Sequence, residues 1–316
     1  MDETRKRRLV TRSDFDGLVC AMILKEKDLI DDIKFVHPKD VQDGKVDIYD
    51  TDITTNLPFD PRVGLAFDHH ESELTRLAGI DYKDRYIIDP HAKSAARVVY
   101  DYYGGADELP RISEELMVAV DKGDSADFTL DEVLHPEGWA LMNFLMDART
   151  GLGRFRNFRI SNYDLMMKLI DLCLDHPIED VLADPDVKER VDLYFEQQEL
   201  FTEQVKGLAR VEGRVVVLDL RDEEVIYAGN RFMVYALYPE AQVSIHVAWG
   251  FRKQNTAVMI GKSIINKDGN PHIGELCLSY GGGGHQNAGT CQLDNDEVDA
   301  KLPDIIAALN KDCTPL

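Results

Sequence analysis

Short apolar runs alternate with helical patterns over roughly the first 125 residues, and this alternation restricts the fold more than any other feature of the chain. It is the mark of βαβ units, and hence of a mostly parallel sheet with helices on both faces. Residues 8–11, 34–37, 46–49 and 64–67 read as strands, 18–27, 94–103 and 113–120 as helices, and much of 132–175 as a helical cap. The strands ending near Thr11, Tyr49 and Phe67 each run straight into acidic residues. Ligands of open α/β sheets bind beyond the carboxyl ends of the strands, so those acidic residues are expected to converge there.

Farther along, Val187, Val191, Tyr194, Phe201, Val205 and Leu208 recur at spacings of three, four and seven, which predicts one long amphipathic helix. Beyond it, 214–220, 242–249 and 256–260 alternate as strands, with helices at 231–238 and 273–279. The expected organisation is α/β throughout: an N-terminal domain at 1–185, a connector helix at 186–211 and a smaller C-terminal α/β domain at 212–316.

The net charge is −22, from 36 Lys and Arg against 58 Asp and Glu. Affinity for long nucleic acid depends on Lys and Arg displacing counterions, so this balance argues against a protein that grips a long strand. A short phosphorylated ligand reached through bound cations remains compatible with it. The five cysteines, Cys20, Cys173, Cys277, Cys291 and Cys313, are scattered and form no CxxC pair, which favours reduced thiols. No apolar run approaches the ~20 residues of a membrane span. The charged N-terminus lacks the apolar core of a signal peptide, so a cytoplasmic location is expected.

Five clusters carry chemistry. Ser13-Asp14-Phe15-Asp16-Gly17 sets two aspartates at i and i+2 in the turn leaving the first strand, where they cap the next helix or reach a hard divalent cation. Residues 46–52 again end a strand in carboxylates, Asp50 and Asp52, open to similar readings. Asp68-His69-His70 follows the apolar run at 64–67, and paired histidines behind an aspartate suit a metal such as Mn2+. Asp121-Lys122-Gly123-Asp124 closes an apparent helix and by itself reads as a polar loop. Gly281-Gly282-Gly283-Gly284-His285 strips side chains from a stretch of backbone, letting its N–H groups approach an anion. A flexible linker fits that run poorly, because helix 273–279 and the apolar Ala288 and Cys291 flank it.

Taken in order, Asp14/Asp16, Asp50, Asp68-His69-His70, Asp121 and Gly282–His285 resemble the motif series of the DHH phosphoesterase superfamily over most of the chain. The DHH triplet and the glycine-His loop are its specific parts. The loop is similar to the branch of nanoRNases, oligonucleotide exonucleases and dinucleotide phosphodiesterases, whereas the related inorganic pyrophosphatases carry another C-terminal domain. The resemblance implies a two-metal site, usually Mn2+, in a cleft between the domains. Asp14 and Asp50 would hold one ion and Asp16, Asp50, His69 and Asp121 the other, with Asp50 bridging. Two cations ~3.5–4 Å apart activate water and stabilise both the attacking and the leaving oxygens. His70 would contact the scissile phosphate and Asp68 would orient His70 or a metal-bound group. Gly282, Gly283, Gly284 and His285 would hold a substrate phosphate.

Two departures from the family pattern stand out. Val10 and Arg12 occupy positions where a ligand is usual, so one metal should bind more weakly, or Asp52, Asp124 or His91 should replace the missing donor. Lys262 stands where an arginine commonly binds phosphate, and it offers charge without bidentate geometry. The expected activity is metal-dependent hydrolysis of a small nucleotide or short oligonucleotide phosphoester, with neither long nucleic acid nor membrane as partner. A homodimer is compatible with it. The alternatives are a polyphosphatase or pyrophosphatase, and a degenerate nucleotide-binding protein.

Overall fold

The computed structural model describes residues 6–80, 82 and 84–315; residues 1–5 and 316, the outer ends of the domains drawn from the sequence, lie outside them. The chain divides into two compact units, one of residues 1–128, 136–148 and 152–192, the other of 129–135, 149–151 and 193–316.

In the first unit the strands β1 (Arg7–Arg12), β2 (Ile30–Val36), β3 (Ile53–Thr55), β4 (Leu65–Asp68) and β5 (Tyr86–Ile88) are all parallel, in the order β2-β1-β3-β4-β5. Successive side chains of a strand point to opposite faces, and both faces here are covered. On one side Leu9, Ile53, Leu65 and Phe67 bury with α1 (Phe15–Glu26), α4 (Ala95–Tyr102) and α5 (Glu114–Ser125). On the other, Val10, Ala66 and Tyr86 pack with Val41 of α2 (Pro38–Gln42), Leu77 just beyond α3 (Glu71–Arg76), and Val46 and Ile48. A short α6 (Leu130–Leu134) belongs to the second unit, while α7 (Gly138–Met146), α8 (Asn162–Asp175) and α9 (Ile178–Ala183) complete the first.

One expected strand is absent. Residues 46–49 form no strand; Val46 and Ile48 bury as irregular backbone laid over the sheet. The third strand is Ile53–Thr55, whose register sets Leu9 opposite Ile53 and Thr11 opposite Thr55. Its carboxyl end therefore falls at Asn56, and Asp50 and Asp52 lie before its amino end.

A long helix, α10 (Pro185–Leu208), runs through the boundary between the units at residue 192. In the second unit, β6 (Arg210–Glu212), β7 (Val215–Asp219), β8 (Val243–Trp249), β9 (Thr256–Lys262), β10 (Gly283–His285) and β11 (Ala288–Leu293) make a mixed sheet, β10-β11-β9-β8-β7-β6. Its β7–β8 pair is parallel and the rest are antiparallel. A short α11 (Met233–Leu237) precedes β8. One face of the sheet, with Val217, Ile245, Val258 and Ile260, buries against α12 (Ile273–Ser279) and α13 (Val298–Asp312). Among the described residues, no helix is long and apolar enough to cross a membrane.

Candidate active site

The turn after β1 is set by two contacts. Asp14 is extended and caps α1, its Oδ1 accepting from Gly17 N at 2.9 Å. A Cβ on residue 17 would stand 2.0 Å from Arg12 O, so only glycine lets the chain turn this tightly into the helix. The tight turn carries Asp16 into the interior, 3% exposed, where Oδ1 accepts from Ala96 N at 2.7 Å and Oδ2 from Ala95 N at 3.0 Å, at the start of α4. Burial and the neighbouring Asp124 push the Asp16 carboxyl up to about 7.

Asp68 ends β4 and is 1% exposed. It accepts from His69 N at 2.9 Å, from Tyr86 Oη at 2.9 Å and from His70 Nδ1 at 2.7 Å. Burial opposes the His70 imidazolium, yet Asp68 outweighs it and raises its pKa. His69 turns the other way: its Nδ1 lies 3.2 Å from Ala92 O, so the Nδ1–H donates there, and in the neutral ring Nε2 keeps its lone pair. Nε2 lies 3.0 Å from Asp124 Oδ2 and, though buried, has no well-aligned hydrogen bond. Burial disfavours the charged ring, but Asp124 and Asp16 overcome this and lift His69 to about 9.

Asp16, His69 and Asp124 each offer one ligand atom, all within 4.8 Å of one another. A buried carboxylate, Asp16, a more exposed one, Asp124, and an imidazole whose far nitrogen is anchored on a backbone carbonyl form a donor set suited to a divalent cation. The donors fit such an ion, and the otherwise unsatisfied Nε2 would find its partner there.

The other residues singled out in the sequence lie differently. Asp14 Oδ2 holds Arg12 Nε at 2.9 Å and its Oδ1 takes Asn56 Nδ2 at 3.2 Å. Asp121 is occupied by Arg97, at 3.0 and 2.7 Å, and by Ser94 Oγ at 2.7 Å. Asp124, one turn later on α5, supplies the carboxylate expected from Asp121. Asp50 is exposed in a turn before β3, at the edge of the sheet away from Asp14 and Asp68, so the bridging role implied for it is corrected. Asp52 is bound by Arg8 at 2.6 Å, and His91 is exposed outside the cluster. Asn56, at the carboxyl end of β3, and Arg97 were not singled out by the sequence motifs.

An apolar cavity of about 150 Å3 in the same unit reaches Ser13, the residue before Asp14. Met142, Leu145, Met146, Phe158 and Leu165 line it, with Arg190 stacked on Phe158 at 3.9 Å. A volume of this size is large enough for a benzene-sized ring.

In the second unit, Gly283, Gly284 and His285 are not a loop but the edge strand β10, paired with β11. A Cβ at residue 282 would meet Thr290 O at 2.1 Å, which accounts for one of the glycines. Gly283 and Gly284 line a cavity of about 500 Å3 together with Arg149, Arg231, Tyr235, Ser244 and His246. Lys262 does not. By strand alternation it shares the face of Val258 and Ile260, which is packed against the helices, and of this strand Met259, Ile260 and Gly261 line the cavity. The guanidinium charge is carried instead by Arg149 and Arg231.

His246 faces this cavity from β8, and burial, aided by Arg231, holds it down at about 4. Unfolded histidine titrates near 6.5, so its contribution is complete above that pH and is lost as the pH falls toward 4. The free energy of unfolding should therefore drop over that range, by on the order of 3 kcal/mol at most, with a shallower fall in His246→Gln. Identical slopes in the two proteins would refute the assignment.

A parallel sheet with carboxylates and a DHH triplet at its carboxyl edge, followed by a smaller mixed-sheet unit with a glycine-His strand, defines a class. The chain belongs to the DHH phosphoesterase superfamily and is a phosphoesterase. Among solved structures it is similar to the pGpG-specific phosphodiesterase PggH from Vibrio cholerae, with TM-score 0.84 and 55% identity over 97% of this chain and 100% of that one. RecJ from Thermus thermophilus in complex with Mn2+ shares the fold, with TM-score 0.52 and 13% identity over 99% of this chain and 54% of that one. No family model and no curated protein matches the chain.

Proposed function

We propose that the chain hydrolyses a linear guanine dinucleotide, pGpG or a close analogue, to mononucleotides in the cytoplasm, with Mn2+ held by Asp16, His69 and Asp124. The observation that carries the chemistry is the cluster of those three side chains at the carboxyl edge of the sheet. The guanine substrate rests on the 55% identity to the pGpG-specific enzyme. In the reaction a water oxygen joins phosphorus, the bond from phosphorus to the 3′ oxygen breaks, and the leaving oxygen takes up a proton. A bound divalent cation supplies positive charge for the developing oxyanions.

The chain's own residues divide the remaining work. His70, whose protonated form Asp68 favours, binds the scissile phosphate as a hydrogen-bond donor. The apolar cavity beside Ser13 suits a nucleobase, which brings a flat apolar ring and no charge. In the second unit, Gly283, Gly284, Arg149 and Arg231 offer backbone and guanidinium donors to a phosphate group. The strongly acidic surface repels a long strand and leaves a dinucleotide as the favoured size.

The test is turnover with Mn2+ against pGpG, pApA, a nucleotide 3′,5′-bisphosphate, a cyclic dinucleotide and polyphosphate. The expected result is a kcat/KM for pGpG at least about tenfold above the others, the scale of a base contact worth about 1.4 kcal/mol. Faster cleavage of polyphosphate or pyrophosphate would replace this reading by the phosphatase one.

A further inference from the structure

We propose that Arg12 supplies, as a fixed guanidinium at Asp14, the positive charge that a second metal ion provides in a two-metal phosphoesterase, so that this chain works with one divalent cation. The inference rests on the assignment of that cation to Asp16, His69 and Asp124.

The donor inventory separates two places that the motif series treats as one. At Asp16, His69 and Asp124, one ligand atom of each lies within 4.8 Å of the others. Asp16 accepts from the backbone N–H of Ala95 and Ala96, and among the described residues no hydrogen bond or ion pair of the three comes from a lysine or arginine. At Asp14 an arginine is among the hydrogen-bond donors, which meet the carboxylate from three elements. Gly17 N comes from α1 at 2.9 Å, Asn56 Nδ2 from the end of β3 at 3.2 Å, and Arg12 Nε from the end of β1 at 2.9 Å. A second ion there would need several oxygen or nitrogen lone pairs, and the residues nearest Asp14 present N–H groups instead.

Burial raises the Asp14 pKa, and Asp124 and Asp147 lie close enough to raise it further, but the carboxylates that the motif series offers a second ion are placed elsewhere. The register of β3 against β1 and β4 sets Asn56, an amide, level with the carboxyl end of the sheet. Asp50 and Asp52 precede that strand, and Asp52 is already bound by Arg8 at 2.6 Å. Asp121 is closed by Arg97 and Ser94. A carboxylate at the end of β3 would bridge two ions. An asparagine there instead donates a hydrogen bond to Asp14, beside the charge of Arg12.

A guanidinium differs from a metal ion in ways that suit this position. It stays charged at every working pH, and its planar fork of donors matches two phosphate oxygens. Nε is committed to Asp14, which fixes the orientation of the group, and the side chain is 38% exposed, so the Nη groups are within reach of a ligand. Arg12 thereby becomes a substrate-binding residue for the reaction, held in place by Asp14, whose own carboxylate is a helix cap.

The experiment counts ions. The full chain is loaded with Mn2+, passed through gel filtration and measured by inductively coupled plasma mass spectrometry. One ion per chain is expected; two per chain overturn the inference while leaving the metal assignment standing, and none overturns both. A second arm uses Arg12→Gln and Arg12→Lys. Arg12→Gln should keep one ion but lower kcat/KM about a hundredfold, and Arg12→Lys should recover at least tenfold of that loss. If Arg12→Gln leaves kcat/KM within twofold of the unaltered chain, or if Lys recovers nothing, Arg12 carries no charge role in the reaction.

Discussion

His69→Ala is expected to strip the bound cation and to lower kcat/KM by at least about 10³. The ring is anchored at Nδ1 on Ala92 O and turned so that Nε2 faces Asp16 and Asp124. Truncation leaves the Asp16 and Asp124 carboxylates facing each other without the imidazole, and Asp16, which burial and Asp124 already push up to about 7, would hold its proton more firmly. A site short of one neutral donor and carrying a protonated acid loses its ion. Losing the several kcal/mol of charge stabilisation that such an ion supplies corresponds to three or more decades in rate. Metal content and turnover should fall together. A variant that keeps its Mn2+ and stays within tenfold of normal activity would remove His69 from the metal centre.

The two halves of that site were unequally legible in the sequence. Asp16 and His69 follow strong apolar runs, and β1 and β4 end where those runs end, so both motifs land at the carboxyl edge of the sheet. Asp50 was misread because Val46 and Ile48 alternate like strand residues. Their burial comes from covering the sheet, while the true strand, Ile53-Thr54-Thr55, is only three residues long and two of them are polar. Tertiary packing overrides local pattern at such short elements, and nothing in one sequence marks Asn56 as a strand end. Asp121 and Asp124 fall one helical turn apart on α5, so a motif locates the turn without choosing the carboxylate. That choice is made by Arg97, whose guanidinium closes Asp121 and whose position in the sequence carries no signal. Lys262 fails for a related reason. Its segment was aligned correctly with β9, but which face of the strand it occupies follows from period-two alternation that the flanking Gly261 leaves weakly marked.

Asp68→Asn tests a different link, and its expected signature is lost turnover with the metal retained. Asp68, His69 and His70 also bring one ligand atom each within 4.8 Å of one another, but Asp68 is already committed to other contacts. Its two oxygens accept from His69 N, His70 Nδ1 and Tyr86 Oη, and at 1% exposure it has no room for other partners. Those contacts do two things: they fix the direction of the His70 ring, and they favour its protonated form against the cost of burial. Asparagine keeps the size but removes the negative charge, so His70 becomes neutral over more of the pH range and loses its grip on a phosphate oxygen. The same exchange behind a catalytic histidine that must act as a base costs about 10⁴. Here the histidine binds charge and does not have to move a proton, so a fall of about 10² in kcat is expected. Bound Mn2+ should stay at the level of the unaltered chain, because Asp16, His69 and Asp124 are untouched. The loss should deepen as the pH rises, since a His70 no longer supported by a carboxylate gives up its proton earlier. If Asp68→Asn instead emptied the metal site, the carboxylate would be acting on His69 through the chain, and the division of labour between the two histidines would be wrong.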